Sequence, residues 1–288
     1  MINKNGEINA LLNLIEDPDE NVYQSITKRF IGFGQAVIPI LNEFQQLTED
    51  PVQVSKISSI ISNISVKCLE DAAISWKNNG DQSVLEASLF IAAYLNLEND
   101  RDQLFFEIEK IRKTIWLELN DYLTPLEEIN IINKIIFGHF NYRGIKMDLN
   151  AISDFDPGIL LINKVSNTFP LGSLYLIVCE MLGISVMPAH IPKQNLLCYV
   201  EEGSSIISIE GSDILFYLDP LNGQIYTHKD IDTYVKKMNL VHPPVVFKPS
   251  SSINYVQRWL KSIAEAEQLS GALDRHAGLQ RIISSIEE

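Results

Sequence analysis

Residues 173–182 are almost wholly apolar and are followed directly by Gly183. No other stretch of the sequence limits the possible folds as strongly. A helix that is apolar on every side offers no face to water, so it is normally buried. Beyond it the pattern changes to short segments bounded by turn residues, which predicts strands at 184–191, 196–201, 206–210 and 214–219. Many helices, one buried helix and then an antiparallel meander predict a mainly helical α+β fold.

Helical patterns flank this region on both sides. Near the N-terminus, apolar residues recur at helical spacing, and the steps Asp17-Pro18 and Asp50-Pro51 separate the helices. Such paired helices resemble HEAT-type repeats, which stack through their apolar faces. A C-terminal pair, divided at Ser270-Gly271, either packs on the core or offers a groove to a partner. We therefore predict three regions: HEAT-like helices at 1–80, a core at 81–248 and a helical hairpin at 249–288.

The composition disfavours some classes of binding partner and favours one cellular compartment. The 288-residue chain has a formal net charge of −14, so it should repel phosphate backbones and anionic membranes. No apolar run reaches the roughly 18 residues that span a bilayer, and the N-terminus lacks the pattern of a secretory signal. The chain has only three cysteines, which favours a reducing cytoplasm. They do not show the spacing of metal ligands, so we expect the protein to bind no cofactor or metal. A protein or a small ligand is the expected partner, and the oligomeric state is left open.

Five segments resemble, in the same order, signatures of transglutaminase-like proteins of the SirB1 type. They lie between about residue 85 and about residue 230, which is half of the chain. The segments read EASLFIA at 86–92, a helix at 126–140 followed by YRG, FPLGSLY at 169–175 followed by LGI, IPKQNLL at 191–197, and YLDPLNG at 217–223. The resemblance implies a papain-like core in which a buried helix packs on an antiparallel sheet.

The resemblance also implies where catalytic residues would stand. It places Ser173 at the nucleophilic cysteine, Gln194 at the histidine and Asp219 at the carboxylate that orients the histidine. A serine hydroxyl needs a base to become a nucleophile, and a glutamine cannot accept its proton near neutral pH. The resemblance therefore implies a pseudoenzyme, acting as a binding or scaffold module for a protein or a small ligand.

Other roles for these residues stay open. A hydrolase or acyl-transferase could use Ser173, or it could use a recruited Cys198 together with His190. Alternation along a strand places Cys198 on the same face as Gln194, which stands at the position of the expected histidine. Ser173 could instead be the N-cap of the buried helix, and Asp219 could cap its own turn. The simplest expectation for Cys198 is packing in the core.

Overall fold

The computed structural model describes residues 2–17, 19–80, 82–201, 213–238 and 247–287, without the side chains of residues 2–5 and of His190. The predicted strand 206–210 and the predicted turns at 202–203 and 211–212 therefore lie outside the described residues. Within the described residues the chain is mainly helical and has a small antiparallel sheet, which confirms the predicted α+β fold class.

Several helices begin where the sequence supplies a capping side chain. Asp19 and Asp50 each accept a hydrogen bond from the backbone two residues ahead, and Thr124 forms a capping box with Glu127. The α-helices are α1 (Ile2–Asn13), α2 (Glu20–Phe33), α3 (Ile38–Leu47), α4 (Pro51–Asn78), α5 (Val84–Leu95), α6 (Arg101–Trp116), α7 (Pro125–Asn133), α8 (Pro157–Asn163), α9 (Thr168–Leu182), α10 (His228–Lys237), α11 (Ser252–Leu269) and α12 (Leu273–Ser285). A π-helical turn, Lys134–His139, continues α7.

Two sheets are present among the described residues. A short parallel pair joins β1 (Arg143–Gly144) to β2 (Val165–Ser166). The main sheet is antiparallel and follows the chain in the order β3 (Val186–Ile191), β4 (Gln194–Val200), β5 (Ile214–Leu218) and β6 (Ile225–Tyr226). Its register pairs Val186 with Tyr199 and Leu197 with Leu218.

The sheet has two differently packed faces. Leu197, Tyr199 and Leu218 belong to the large apolar cluster that contains the side chains of α9. Leu196 and Cys198 belong to a separate cluster with Ile231 of α10. Because successive side chains of a strand point to opposite faces, α9 and α10 cover opposite faces of β4.

One long helix connects the N-terminal helices to the core. The sequence suggests two apolar stripes, at 54–64 and 66–76, but α4 runs without interruption from Pro51 to Asn78. Its first half packs with α1–α3 through residues such as Ile57 and Ile60, and its second half packs in the large cluster through Leu69 and Trp76. The whole of α4 therefore lies within the predicted region 1–80, but its second half packs with the core.

The C-terminal helices pack on the core, which is one of the two arrangements that the sequence allows. Trp259 and Leu260 of α11 and Leu279 of α12 are fully buried in the large cluster. An ion pair between the buried Glu267 and the partly exposed Arg275 links the two helices at 2.8 Å. Across the described residues, none of the helices combines the length and the apolar composition required of a membrane span.

Candidate functional site

The buried helix α9 begins at Thr168, earlier than the sequence pattern suggests. Its N-cap is Asn167, a fully buried residue whose side chain accepts a hydrogen bond from the Phe169 N–H at 3.0 Å. Pro170 is tolerated as the third helical residue because the N–H groups of a first turn have no acceptor within the helix. The alternative that Ser173 caps this helix is therefore wrong.

Ser173 lies inside α9, about one and a half turns from its start. Only 1% of the residue is exposed, and its hydroxyl donates to the Pro170 carbonyl at 2.8 Å. This bond to the carbonyl three residues earlier is a common way for serine to satisfy its hydroxyl within a helix. The hydroxyl at the position of the expected nucleophile is thus buried and hydrogen-bonded to its own helix.

Residues from β4 and α11 surround the start of α9. The Thr168 hydroxyl donates to the Asn195 carbonyl at 3.2 Å, and the Arg258 guanidinium donates to the Asn195 side chain at 2.8 Å. Burial lowers the pKa of Arg258. Tyr255 donates to the Phe169 carbonyl at 2.6 Å. The sequence carries no signal for this cluster, because its members come from segments far apart in the chain.

Gln194 and Asp219 line one cavity of about 410 Å³, and Ser173 does not line it. The cavity lies between the sheet and α10, whose Ile231 and Tyr234 form part of its wall. The Gln194 amide donates to the Tyr234 hydroxyl at 3.3 Å. The sequence does not predict that α10 contributes to this cavity, because its residues follow YLDPLNG at 217–223, the last segment that resembles the family.

Asp219 has a local structural role at the edge of this cavity. Its carboxylate accepts a hydrogen bond from the Leu221 N–H at 2.9 Å, so it caps its own turn, as one of the two sequence hypotheses proposes. Burial raises the pKa of this carboxyl group. The pKa of Tyr226 is raised by burial and by the charges of Asp219 and Asp230. The cavity therefore presents carboxylate and phenol groups in a half-buried setting.

A family comparison fits this architecture. Residues 103–261, more than half of the chain, match a family model described as the transglutaminase-like superfamily. The chain belongs to this superfamily. Comparison with curated proteins and with solved structures finds no match. The match includes α9, the main sheet and the first part of α11, so the transglutaminase-like domain extends into the predicted C-terminal hairpin.

Two of the three thiols of this transglutaminase-like protein, those of Cys179 and Cys198, are shielded in the core. Cys198 lies in β4 on the α10 face, is fully buried, and directs its sulfur toward the Met187 carbonyl at 3.6 Å. Burial raises the pKa of Cys198 to about 12, and burial raises that of Cys179 as well. A thiol reacts as its thiolate, so these environments oppose nucleophilic chemistry.

His190, the histidine proposed as a displaced base, has a described backbone only. It lies in β3 opposite Asn195, and its side chain is outside the described residues. His228 uses its Nε2 atom in a 2.7 Å hydrogen bond with the Ile214 carbonyl. Within the described part of the chain, no group of three or more His, Cys, Asp or Glu residues could hold a metal ion.

Proposed function

We propose that this transglutaminase-like protein is a non-catalytic binding module of the SirB1 type, with degenerate catalytic positions. The observation that carries this proposal is the environment of Ser173, whose buried hydroxyl donates to Pro170 and does not line the cavity of Gln194 and Asp219. Nucleophilic catalysis needs a nucleophile and a base within hydrogen-bond reach of each other and of the substrate. In the described geometry, Ser173 and Gln194 do not line one cavity, and the buried Ser173 hydroxyl is not presented to a substrate.

The cavity beside α10 is the proposed ligand site. Its volume of about 410 Å³ is in the range of small-molecule pockets, and its wall mixes apolar and polar side chains. Asp219, Asp230 and Lys237 supply charges, while Gln194 and Gln224 supply amides. We propose a small polar ligand that is bound by hydrogen bonds rather than transformed.

The N-terminal helices provide a second surface for interaction. The packing of α1–α3 against the first half of α4, through a continuous Ile- and Leu-rich cluster, supports the proposed HEAT-like role in binding a protein partner. The sparse and unpaired cysteines support the proposal that the protein works in the cytoplasm.

The ligand proposal is tested by thermal unfolding of the full chain against a panel of small polar metabolites. A ligand present at about 100 times its Kd adds about 2.7 kcal/mol to the stability and raises Tm. The Tyr234→Phe and Asp219→Asn variants should reduce the shift of a cavity ligand. Glu43→Gln, which changes an exposed residue of α3, should leave the shift unchanged.

The catalytic alternative is tested with the same protein. Hydrolysis of an activated ester, and transfer of an acyl group to an amine, should proceed no faster with the parent than with Ser173→Ala. Turnover that is lost in Ser173→Ala or Cys198→Ser would overturn the non-catalytic proposal and favour a hydrolase or acyl-transferase.

A further inference from the structure

A second cavity, of about 970 Å³, lies away from the Gln194 and Asp219 site. One side is the loop between α6 and α7, and the other side includes the end of α9 and parts of β4 and β5. We call it the α6–α9 groove and define it by Trp116, Leu117, Asp121, Glu128, Glu201 and Leu215. Its volume is ample for several side chains of a bound segment.

Large apolar side chains are exposed at this groove. Trp116 is 62% exposed and Leu117 is 75% exposed, although both are the kind of residue that gains most from burial. Leu215 on β5 is also exposed on the opposite side of the groove. Exposed large apolar residues gathered beside a cavity are typical of a surface that another molecule covers.

The charged side chains in the described lining of the groove are all acidic. Asp121, Glu128 and Glu201 line it, and its described lining includes no lysine, arginine or histidine. The end of α9 at Leu182 adds the negative end of a helix dipole, and no basic residue lies in its last turn to offset it. The groove therefore favours a cationic occupant.

The Glu128 carboxylate is held in place by the fold. It accepts a hydrogen bond from the Tyr199 hydroxyl at 2.7 Å, which ties α7 to β4 across the groove. A charge held by such a bond loses little conformational freedom when a cation approaches. The groove wall is thus organised before a partner arrives.

We propose that the α6–α9 groove binds a basic segment of a partner protein. An apolar side chain of that segment packs against Trp116 and Leu117, and its lysine or arginine residues face Asp121, Glu128 and Glu201. A second copy of this chain is a poor occupant because both copies carry a net charge of −14. Nucleic acids and anionic membranes are repelled for the same reason. This proposal is independent of the ligand cavity beside α10.

The test uses the full chain and two synthetic peptides, acetyl-LKKLLKKL-amide and its counterpart with glutamate in place of lysine. Trp116 reports binding directly, because the other two tryptophans, Trp76 and Trp259, are buried and poorly accessible to acrylamide. The basic peptide should protect Trp116 from acrylamide quenching in a saturable way. Added salt should weaken this protection, and the acidic peptide should give none.

A charge-matched pair of variants separates the groove from general attraction to an acidic protein. The triple variant Asp121→Asn, Glu128→Gln and Glu201→Gln should weaken binding about tenfold or more. The control variant Glu98→Gln, Glu265→Gln and Glu287→Gln removes the same charge from exposed positions outside the groove lining and outside the N-terminal helices, and should retain nearly full affinity.

Two results of the peptide experiment would overturn the proposal. One is equal weakening in the two triple variants, which would mean that only the net charge matters. The other is the absence of saturable Trp116 protection in the parent protein. Circular dichroism of both variants checks that they are folded. Analytical ultracentrifugation of the parent chain measures the oligomeric state independently. A stable dimer in which Trp116 is shielded would identify a second copy of the chain as the occupant of the groove, and would contradict a basic partner.

Discussion

Alkylation by iodoacetamide should be very slow at Cys198 in the folded protein. The pKa of this buried thiol is about 12, compared with about 8.5 for free cysteine. That difference lowers the fraction of thiolate near neutral pH by about three thousandfold, and the thiolate is the reacting species. The greater intrinsic nucleophilicity of a more basic thiolate recovers about a factor of forty. Cys198 should therefore react about a hundredfold more slowly than free cysteine, before steric protection is counted.

Peptide mapping by mass spectrometry over a time course measures this rate for each cysteine separately. Cys68 is a useful internal comparison because it is only half-buried, and it should be labelled well before Cys198 and Cys179. Labelling in denaturant should make all three equally reactive. If Cys198 in the folded protein reacted faster than free cysteine at slightly acidic pH, a nearby group would be lowering its pKa, and the case against a recruited thiol would fail.

Three further predictions concern the fold and the cavity. Tyr255→Phe leaves the buried Phe169 carbonyl without its hydroxyl donor, so urea unfolding should show a loss of about 1–3 kcal/mol; no loss would contradict this role for the bond. Thr124→Ala removes the capping box shared with Glu127 and should lower the free energy of unfolding by about 1 kcal/mol, whereas Thr124→Ser should lower it much less. Burial raises the pKa of Asp219, so its contribution to stability is greatest below its unfolded pKa and is lost as the pH rises through its folded pKa. The stability of Asp219→Asn relative to the parent should therefore increase as the pH rises from acidic to neutral. A difference in stability that stays constant with pH would refute the raised pKa of Asp219.

Local sequence patterns predict the class of the fold and its sheet well. Alternation correctly places Leu196 and Cys198 on one face, and the described strands β3, β4 and β5 fall within a few residues of the predicted segments. The superfamily resemblance is confirmed by the match over residues 103–261. These features follow from short-range periodicity and from motif order, which a single sequence displays directly.

The start of α9 shows why the candidate site is harder to predict. The sequence suggests a helix that begins at Ser173, where the continuous apolar run starts. The structure begins the helix at Thr168, since Asn167 caps it and proline fits a first turn. That shift places Ser173 inside the helix instead of at its positive end, and thereby removes the electrostatic setting that a nucleophile would need.

Contacts between distant segments account for the remaining differences. Alternation in β4 shows that Gln194 shares a face with Leu196, but it does not show which helix covers that face. The cover is α10, which brings Tyr234 to Gln194. Likewise, Arg258 reaches Asn195 from α11, and no local pattern in either segment indicates the other.

We propose that Ser173 and Gln194, the positions at which the family resemblance expects a catalytic cysteine and histidine, do not form a working pair in this protein. The most direct measurement is the burst of product released from an activated ester by the double variant Ser173→Cys and Gln194→His, with Ser173→Cys alone as the control and circular dichroism to verify folding. We predict no burst above the control, because position 173 is buried within α9 and does not line the cavity of position 194. A stoichiometric burst that requires both substitutions would show that the two positions meet, and would contradict the account.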